Sequence, residues 1–352
     1  MGGGTATGGG TATGGGTSTG GGTATGGGTA TGGGTATGGG TATGGGTATG
    51  GGGGSADAGI CGGAWCLFST AGNGAFSVTQ GMWAAGPNRA YATSYGSRVL
   101  SWNGTTWQTQ SAGFNAIARA VWGYGSTTTP TVFVGAESGA SFRGPPFNTA
   151  LPGMNFENTV SISGLPDGGS IYAGTDTGLL YTLLNGAWVP VGVPSLGSNV
   201  ALRGIAVVAE NDVWVGGSAG TILHYDGSTW QQLDAGVAER YRRTWATGPN
   251  DVWFVGTNAI VTRWNGVRFS TDYCPVCGEI WGVWGRGPND MWLTDRSSQL
   301  VHWDGGSFET VTVPSGVVEN IEGNGLFGAG DNDLFLTAAF ADGGYGVLHY
   351  RR

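Results

Sequence analysis

The chain has 352 residues, and its net charge of −8 comes from 22 acidic residues against 14 basic ones, all of them Arg. An acidic chain with scattered Arg lacks the basic surface that nucleic acids require and the polybasic segment that anionic membranes attract. We therefore expect no nucleic-acid partner, and no apolar run is long enough to predict a transmembrane segment.

Residues 1–54 form a low-complexity arm. The hexad GGGTAT repeats eight times as far as Thr49, once as GGGTST, with no hydrophobic period. Three glycines in six residues make ordering entropically costly, and Thr and Ala bury too little surface to offset that cost. This composition predicts a disordered, flexible spacer. The alternatives are a stacked glycine-rich fibre and an O-glycosylated stalk, since Thr recurs at regular spacing.

Residues 55–352 contain seven copies of one pattern, which repeats about every 40 residues. An aromatic residue after a turn marks each copy, with spacings of 39 to 43: Tyr91, Phe133, Tyr172, Trp214, Trp253, Trp292 and Phe335. An Asn-Gly or Asp-Gly pair is the second marker, in all copies but the second and the last: Asn103, Asn185, Asp226, Asn265 and Asp304. Two markers in the same register make the repeat specific.

Each copy is predicted to form four short strands. In the clearest copy, GPND makes the first turn, and Asp304-Gly makes a tight hairpin between a third strand at 300–303 and a fourth at 308–313. The last copy ends with a third strand at 347–350, and 64–68 is expected to supply its fourth. The predicted fold is all-β: a seven-bladed β-propeller, closed by an N-terminal strand and preceded by a disordered Gly/Thr-rich arm.

Two segments carry a family resemblance: ENDVWVGGSAGTILHYDGSTWQQL at 210–233 and GPNDVWFVGTNAIVTRWNG at 248–266. They resemble the BNR/Asp-box and YVTN/WD40-type repeats of bacterial propeller proteins, especially secreted Trp-rich ones, and are also similar to tectonin-type lectin repeats. The resemblance covers about residues 64–352. The full Asp-box is only approached, at 102–107 and 225–230, where its leading Ser is absent.

The segment 239–243, ERYRR, enters the fifth blade and is the best candidate for a ligand site. In a propeller, the loops between second and third strands and the connections between blades share one face around the central channel. Guanidinium groups there match carboxylates or sulfates. Arg240, Tyr241, Arg242 and Arg243 are therefore predicted to bind a ligand. The alternative is that these arginines are solvated or paired with Glu239.

The same face is expected to present several acidic residues. Asp272, Tyr273 and Glu279 join the predicted ligand-binding set. The other acids expected there are Glu137, Asp176, Asp295 and Glu319. A glycosidase needs two carboxylates at a set separation. Because no spacing selects such a pair, no catalytic residue is nominated, and the chain is expected not to be an enzyme.

Three tryptophans that follow the hairpins are lectin candidates, because an exposed indole stacks well on a sugar ring: Trp107, Trp188 and Trp230. The alternative is that they clamp the hairpins. The Trp residues in register on the first and second strands are expected in the core between blades.

The four cysteines form two close pairs, Cys61 with Cys66 and Cys274 with Cys277. Two local disulfides and an oxidising compartment are expected. A redox motif or half a zinc site is the alternative for Cys274 and Cys277.

The three His residues recur at one repeat position, which predicts a structural role: His224, His302 and His349. No metal and no cofactor are predicted.

These observations favour a non-catalytic surface or secreted binding or scaffold propeller, monomeric, whose ligand is a glycan or a protein. The alternative functions are a carbohydrate-active hydrolase or lyase, and an adhesin whose active part is the arm. The expected location is extracellular or at the cell surface, with a leader or lipid anchor encoded upstream of Met1.

Overall fold

The computed structural model describes eight short strands within residues 5–49 and then residues 60–62, 65–69, 79–94, 97–111, 115–154, 157–297, 299–313, 318–330, 333–340 and 345–351. The chain divides into two compact units, Met1–Ala56 and Asp57–Arg352. Among the described residues, no helix has the length and apolar character needed to cross a membrane.

The first unit is built from the Thr-Ala-Thr triplets, and from Thr-Ser-Thr in the third hexad. Each triplet forms a three-residue strand, from Thr5–Thr7 to Thr47–Thr49. Alternate strands pair in parallel, so that Thr5 lies opposite Thr17, and the eight strands make two four-stranded sheets. The disordered arm is therefore not confirmed and stays a prediction, while the strands correspond to the stacked alternative.

The second unit is a ring of seven antiparallel sheets, the blades. Strands A to D of each blade run in chain order from the central channel outward. Blade one contains Thr79–Gly86, Arg89–Ser94, Arg98–Trp102 and Trp107–Ser111; blade two contains Ala118–Gly125, Pro130–Ala136, Ser141–Gly144 and Thr149–Ala150; blade three contains Thr159–Gly164, Ile171–Thr175, Leu180–Leu184 and Ala187–Pro190.

Blades four to six follow the same order. Blade four contains Leu202–Ala209, Asp212–Gly217, Ile222–Tyr225 and Trp230–Leu233; blade five contains Tyr241–Gly248, Asp251–Gly256, a 3₁₀ turn at Thr257–Ala259, Ile260–Trp264 and Phe269–Tyr273; blade six contains Ile280–Gly287, Asp290–Asp295, Leu300–Trp303 and Phe308–Val311. The fourth strand of blade six thus ends two residues earlier than predicted.

Blade seven joins the two ends of this unit. Its strands A to C are Val318–Gly330, Asp333–Phe340 and Tyr345–Arg351. Strand Trp65–Ser69 pairs antiparallel with Tyr345–Arg351, and Ile60–Gly62 adds a fifth strand outside it. The register places residue 67 opposite residue 348. This pairing has the register that the predicted closure by an N-terminal strand requires, and the closure itself stays a prediction.

The seven aromatic markers lie on the B strands, and all are buried, from Phe335 at 0% exposed to Tyr172 at 8%. They pack between blades; Trp107 of blade one, for example, contacts Phe335 of blade seven edge-on, with ring centroids 6.4 Å apart. Burial of these large side chains is the main driving force for the ring. The predicted seven-bladed all-β propeller is confirmed.

The second marker makes the turns between strands C and D. In the Asp304-Gly305 turn, Asp304 Oδ1 accepts hydrogen bonds from the backbone N–H groups of Gly306 and Ser307, each at 2.8 Å. These bonds lower the pKa of the Asp304 carboxyl, Ser307 contributing most. Gly305 has φ of 100° and lies against Asn289 of the A–B turn. The A–B and C–D turns therefore share one end of the ring, which we call the turn face.

Each of the three His residues contacts the first residue of the B strand in its own blade. Each His Nε2 on strand C meets a carboxylate on strand B: His224 lies 2.9 Å from Asp212, His302 2.8 Å from Asp290, and His349 2.6 Å from Asp333. In blade five, Arg263 takes the same place against Asp251. The geometry agrees with the predicted structural role of the His residues.

Candidate functional site

The B–C loops bond to the connections between blades at the other end of the ring, which we call the loop face. Gly220 N–H donates to the carbonyl of Glu239 at 2.7 Å, and Thr257 N–H donates to the carbonyl of Arg240 at 3.0 Å. The B–C loops and the connections between blades therefore share one end of the ring.

Every A strand carries a β-bulge just inside this face. In blade four, for example, Leu202 pairs with Gly217 and Gly204 with Gly216, so residue 203 is extra. The extra residues of the seven blades form what we call the bulge ring: Gln80, Arg119, Val160, Arg203, Arg242, Trp281 and Glu319. Bulges redirect a side chain out of the strand alternation and recur beside functional sites. The ring therefore places charged and aromatic residues around one channel mouth.

Blades five and six supply a cluster of opposite charges and one indole. Arg242 Nε donates to Glu279 Oε1 at 2.5 Å, and Arg296 Nη1 lies 3.8 Å from the other oxygen of Glu279. Both guanidinium groups also face the Trp281 ring, at 5.0 and 5.9 Å from its centroid. Arg242 and Glu279, each predicted separately to bind a ligand, thus pair with one another, and Arg296 and Trp281, which were not predicted, lie beside them.

Three arginines line a cavity of about 110 Å³ inside the channel: Arg119, Arg203 and Arg243. Arg119 Nε donates to Glu137 at 3.0 Å. Arg203 Nε is buried without a hydrogen-bond partner. Burial lowers the pKa of Arg203, and the positive charges of Arg242 and Arg240 act in the same direction. Burial likewise lowers the pKa of Arg243 to about 10, aided by Arg203 and Arg242.

A second cavity of about 390 Å³ lies in the channel toward the turn face, and its walls are mostly apolar. The two cavities share six lining residues: Trp83, Trp122, Ser163, Ile205, Trp245 and Phe327. The channel is therefore cationic near the loop face and aromatic beyond it.

The other residues in and beside blade five that were predicted to bind a ligand differ in their exposure to solvent. Tyr241 is fully buried; its hydroxyl bonds to Thr262 Oγ1 at 2.9 Å, and burial raises its pKa to about 12. It faces the core and cannot reach a ligand in this structure, contrary to the prediction. Arg240, Asp272 and Tyr273 are exposed at the rim of the loop face, with Tyr273 50% exposed.

The lectin interpretation requires exposed indole faces, and two of its three tryptophans lack them. Trp107 and Trp188 are 1% and 2% exposed, and Trp188 Nε1 donates to Ser141 Oγ at 2.9 Å. Trp230 is half-buried between Tyr225 and Tyr172. These positions correspond to the hairpin-clamp alternative, because each indole packs against the preceding blade of the ring.

Cys274 and Cys277 form the predicted disulfide, in the connection between blades five and six. Cys61 and Cys66 are register partners on adjacent strands. Their side chains, and therefore the disulfide predicted between them, lie outside what the structure describes. Among the described residues, no group of three or more His, Cys, Asp or Glu could hold a metal ion.

Most of the carboxylates predicted on the loop face form ion pairs or accept hydrogen bonds within the protein. Glu137 and Glu279 hold arginines, and Asp295 accepts backbone N–H groups of Gly278 and Gln299 at 2.5 and 2.9 Å. Asp176 accepts from Asn158 at 2.7 Å. The side chain of Glu319 lies outside the described residues.

The bulge ring has a sequence signal that motif reading misses. Arg203, Arg242 and Trp281 each lie eleven residues before the aromatic marker of their blade, as does Gln80 in blade one. Aligning the copies on the marker would have shown that this position varies in charge and size. Position-specific variation at an otherwise repeated site is what a binding surface produces.

The fold and site together define a seven-bladed β-propeller. The chain matches no protein-family model and no curated protein. Among solved structures it is similar to the WD40 β-propeller domain of Doa1, with a TM-score of 0.62, 15% identity, and 78% of this chain and 94% of that one covered.

Two YCF48 structures are similar as well. YCF48 bound to D1 peptide has a TM-score of 0.62 and 13% identity over 84% of this chain and 99% of that one. YCF48 from Cyanidioschyzon merolae has a TM-score of 0.62 and 14% identity over 82% and 98%. These likenesses confirm a β-propeller repeat protein. The BNR/Asp-box and tectonin features stay a prediction.

Proposed function

We propose that this chain is a non-catalytic binding propeller that holds a segment of a partner protein on its loop face. The observation that carries the proposal is the bulge ring, which places arginines and an indole around one channel mouth. Arginine and aromatic side chains dominate the energetics of protein recognition. A solved structural neighbour, YCF48, is bound to a D1 peptide.

The rim of the loop face adds contact groups of the same kind. Tyr273 is half exposed, Leu179 is 42% exposed in the B–C loop of blade three, and the Arg296 side chain is 71% exposed. An extended peptide crossing this rim would meet apolar, aromatic and cationic groups in turn. A glycan is the second ligand class, and its stacking platform would be Tyr273.

Catalysis is the weaker candidate. A hydrolase of the expected kind needs two carboxylates free to act on a substrate. Glu137 and Glu279 instead hold arginines, and Asp295 is buried against backbone amides. A location outside the cell belongs to the proposal too, supported by the Cys274–Cys277 disulfide.

The test is a random peptide display library and a glycan array, both probed with the full chain. Peptides that bind the chain should bind Tyr273→Ala and Arg296→Ala variants at least fivefold more weakly. The matched control is Val267→Ala, which removes an 82% exposed side chain on the turn face and should leave binding unchanged. Binding to glycans alone, or equal effects of all three variants, would contradict the proposal.

A further inference from the structure

The cationic cavity contains buried donors that lack acceptors. Arg203 Nε and Thr244 Oγ1 are both buried without a hydrogen-bond partner, and both residues line the 110 Å³ cavity. An unmet buried donor destabilises the free protein, and a charged donor does so most. Thr244 is buried, whereas the Arg203 side chain is only partly buried, and its guanidinium is the group that an acceptor in the cavity would meet.

The charges around the cavity select an anion. Arg243 lines the same cavity as Arg203, as does Arg119, which also holds Glu137, and Arg242 and Arg240 act on the charge of Arg203 more strongly than Asp176 does. Guanidinium forks favour a planar oxyanion that accepts two parallel hydrogen bonds, which describes a carboxylate.

The second cavity indicates what is attached to that carboxylate. It adjoins the first through shared indole and phenyl walls, including Trp122, Trp245 and Phe327. At the end of a peptide, the α-carboxylate and an apolar side chain leave the same carbon atom and could fill both cavities. An acidic sugar carries hydroxyl groups beside its carboxylate, and these would be buried against aromatic rings without partners.

We propose that the channel binds the C-terminal carboxylate of a peptide whose last residue is apolar, with the carboxylate at Arg203 and the side chain in the aromatic cavity. This inference rests on the proposed function, since it assigns the chemistry of the peptide end.

The test is calorimetry of the full chain with Gly-Gly-Leu, its C-terminal amide, Gly-Gly-Gly, glucuronic acid and sodium sulfate. Gly-Gly-Leu should bind at least tenfold more tightly than its amide, because the amide lacks the charge. It should also bind about tenfold more tightly than Gly-Gly-Gly, which buries no side chain. Tighter binding of sulfate or glucuronic acid than of Gly-Gly-Leu would overturn the inference.

Two variants separate a binding role from a structural one. Arg203→Gln should weaken Gly-Gly-Leu at least tenfold while the melting temperature of the free protein stays the same or rises, because a repelled buried charge is removed. Arg268→Gln removes an exposed charge on the turn face and serves as the control.

The failure of this inference is distinguishable from that of the proposed function. Equal affinity for the acid and the amide, or a fall in melting temperature of Arg203→Gln with unchanged affinity, would overturn the carboxylate site. Library peptides that still depend on Tyr273 would then leave the loop face as a protein-binding surface.

Discussion

At the scale of single residues, blades four to seven each begin strand B with an acid that meets a side chain on strand C. Asp251 is the clearest case. It accepts hydrogen bonds from Trp253 Nε1 at 2.9 Å, from Arg263 Nε at 2.7 Å and from Thr247 Oγ1. The Arg263 guanidinium also lies 5.1 Å from the centre of the Trp253 ring. One carboxylate therefore links the first, second and third strands of blade five.

Replacing this acid should be strongly destabilising. Asp251→Ala leaves a half-buried guanidinium and a buried indole N–H unpaired, and should lower the free energy of unfolding by about 3 kcal/mol. Asp272→Ala, at an exposed position of the same blade, should change it by less than about 0.5 kcal/mol. Urea denaturation of both variants measures the difference, and equal effects would contradict the role given to Asp251.

At the scale of elements, the A–B and C–D turns of a blade pack directly on one another. A Cβ atom at Gly305 would lie 2.6 Å from Cγ of Asn289, and the φ of Gly305, 100°, disfavours any other residue. The next residue, Gly306, has no such restriction: its nearest neighbour would be Asp304 Oδ1 at 3.6 Å. The Asx-Gly pair is thus both a hairpin turn and a packing contact.

This difference between adjacent glycines is testable within one turn. Gly305→Ala should lower the free energy of unfolding by more than about 1 kcal/mol, through backbone strain and the clash with Asn289. Gly306→Ala should stay within about 0.5 kcal/mol of the parent chain. Thermal unfolding followed by near-UV circular dichroism compares them, and a larger effect at Gly306 would rule out this account of the turn.

At the scale of the whole propeller, the predicted closure of the ring depends on the pairing of Trp65–Ser69 with Tyr345–Arg351. Each blade alone is too small to bury its two faces, so its stability depends on its neighbours. The loss of one strand pairing should therefore weaken the entire ring. It would also expose the edge of strand Tyr345–Arg351 to other chains.

Two truncations isolate this contribution. Deleting residues 2–56 should leave the melting temperature of the propeller within about 2 °C of the parent, whereas deleting residues 2–69 should lower it by about 5 °C or more. The longer deletion should also promote association, measurable by light scattering. Equal melting temperatures for the two truncated chains would show that the ring does not depend on the N-terminal strand.

The repeat alone determined the number of blades, the position of the aromatic core and the chemistry of the turns. Tyr91 and its six counterparts recur in register because every blade buries an aromatic side chain at the same position of its second strand. Leu300–Trp303 lies where the pattern predicted it, and the Asp304-Gly305 turn has the expected geometry, since both depend on neighbours close in sequence.

Only the tertiary structure decided which residues meet at the channel. Arg242 and Glu279 are 37 residues apart and belong to different blades, and the buried donor of Arg203 is evident only when the ring is assembled. Trp107 and Trp188 follow hairpins as an exposed indole would, yet packing covers them. Local periodicity specifies each blade, but contacts between blades depend on how seven twisted sheets close around one axis.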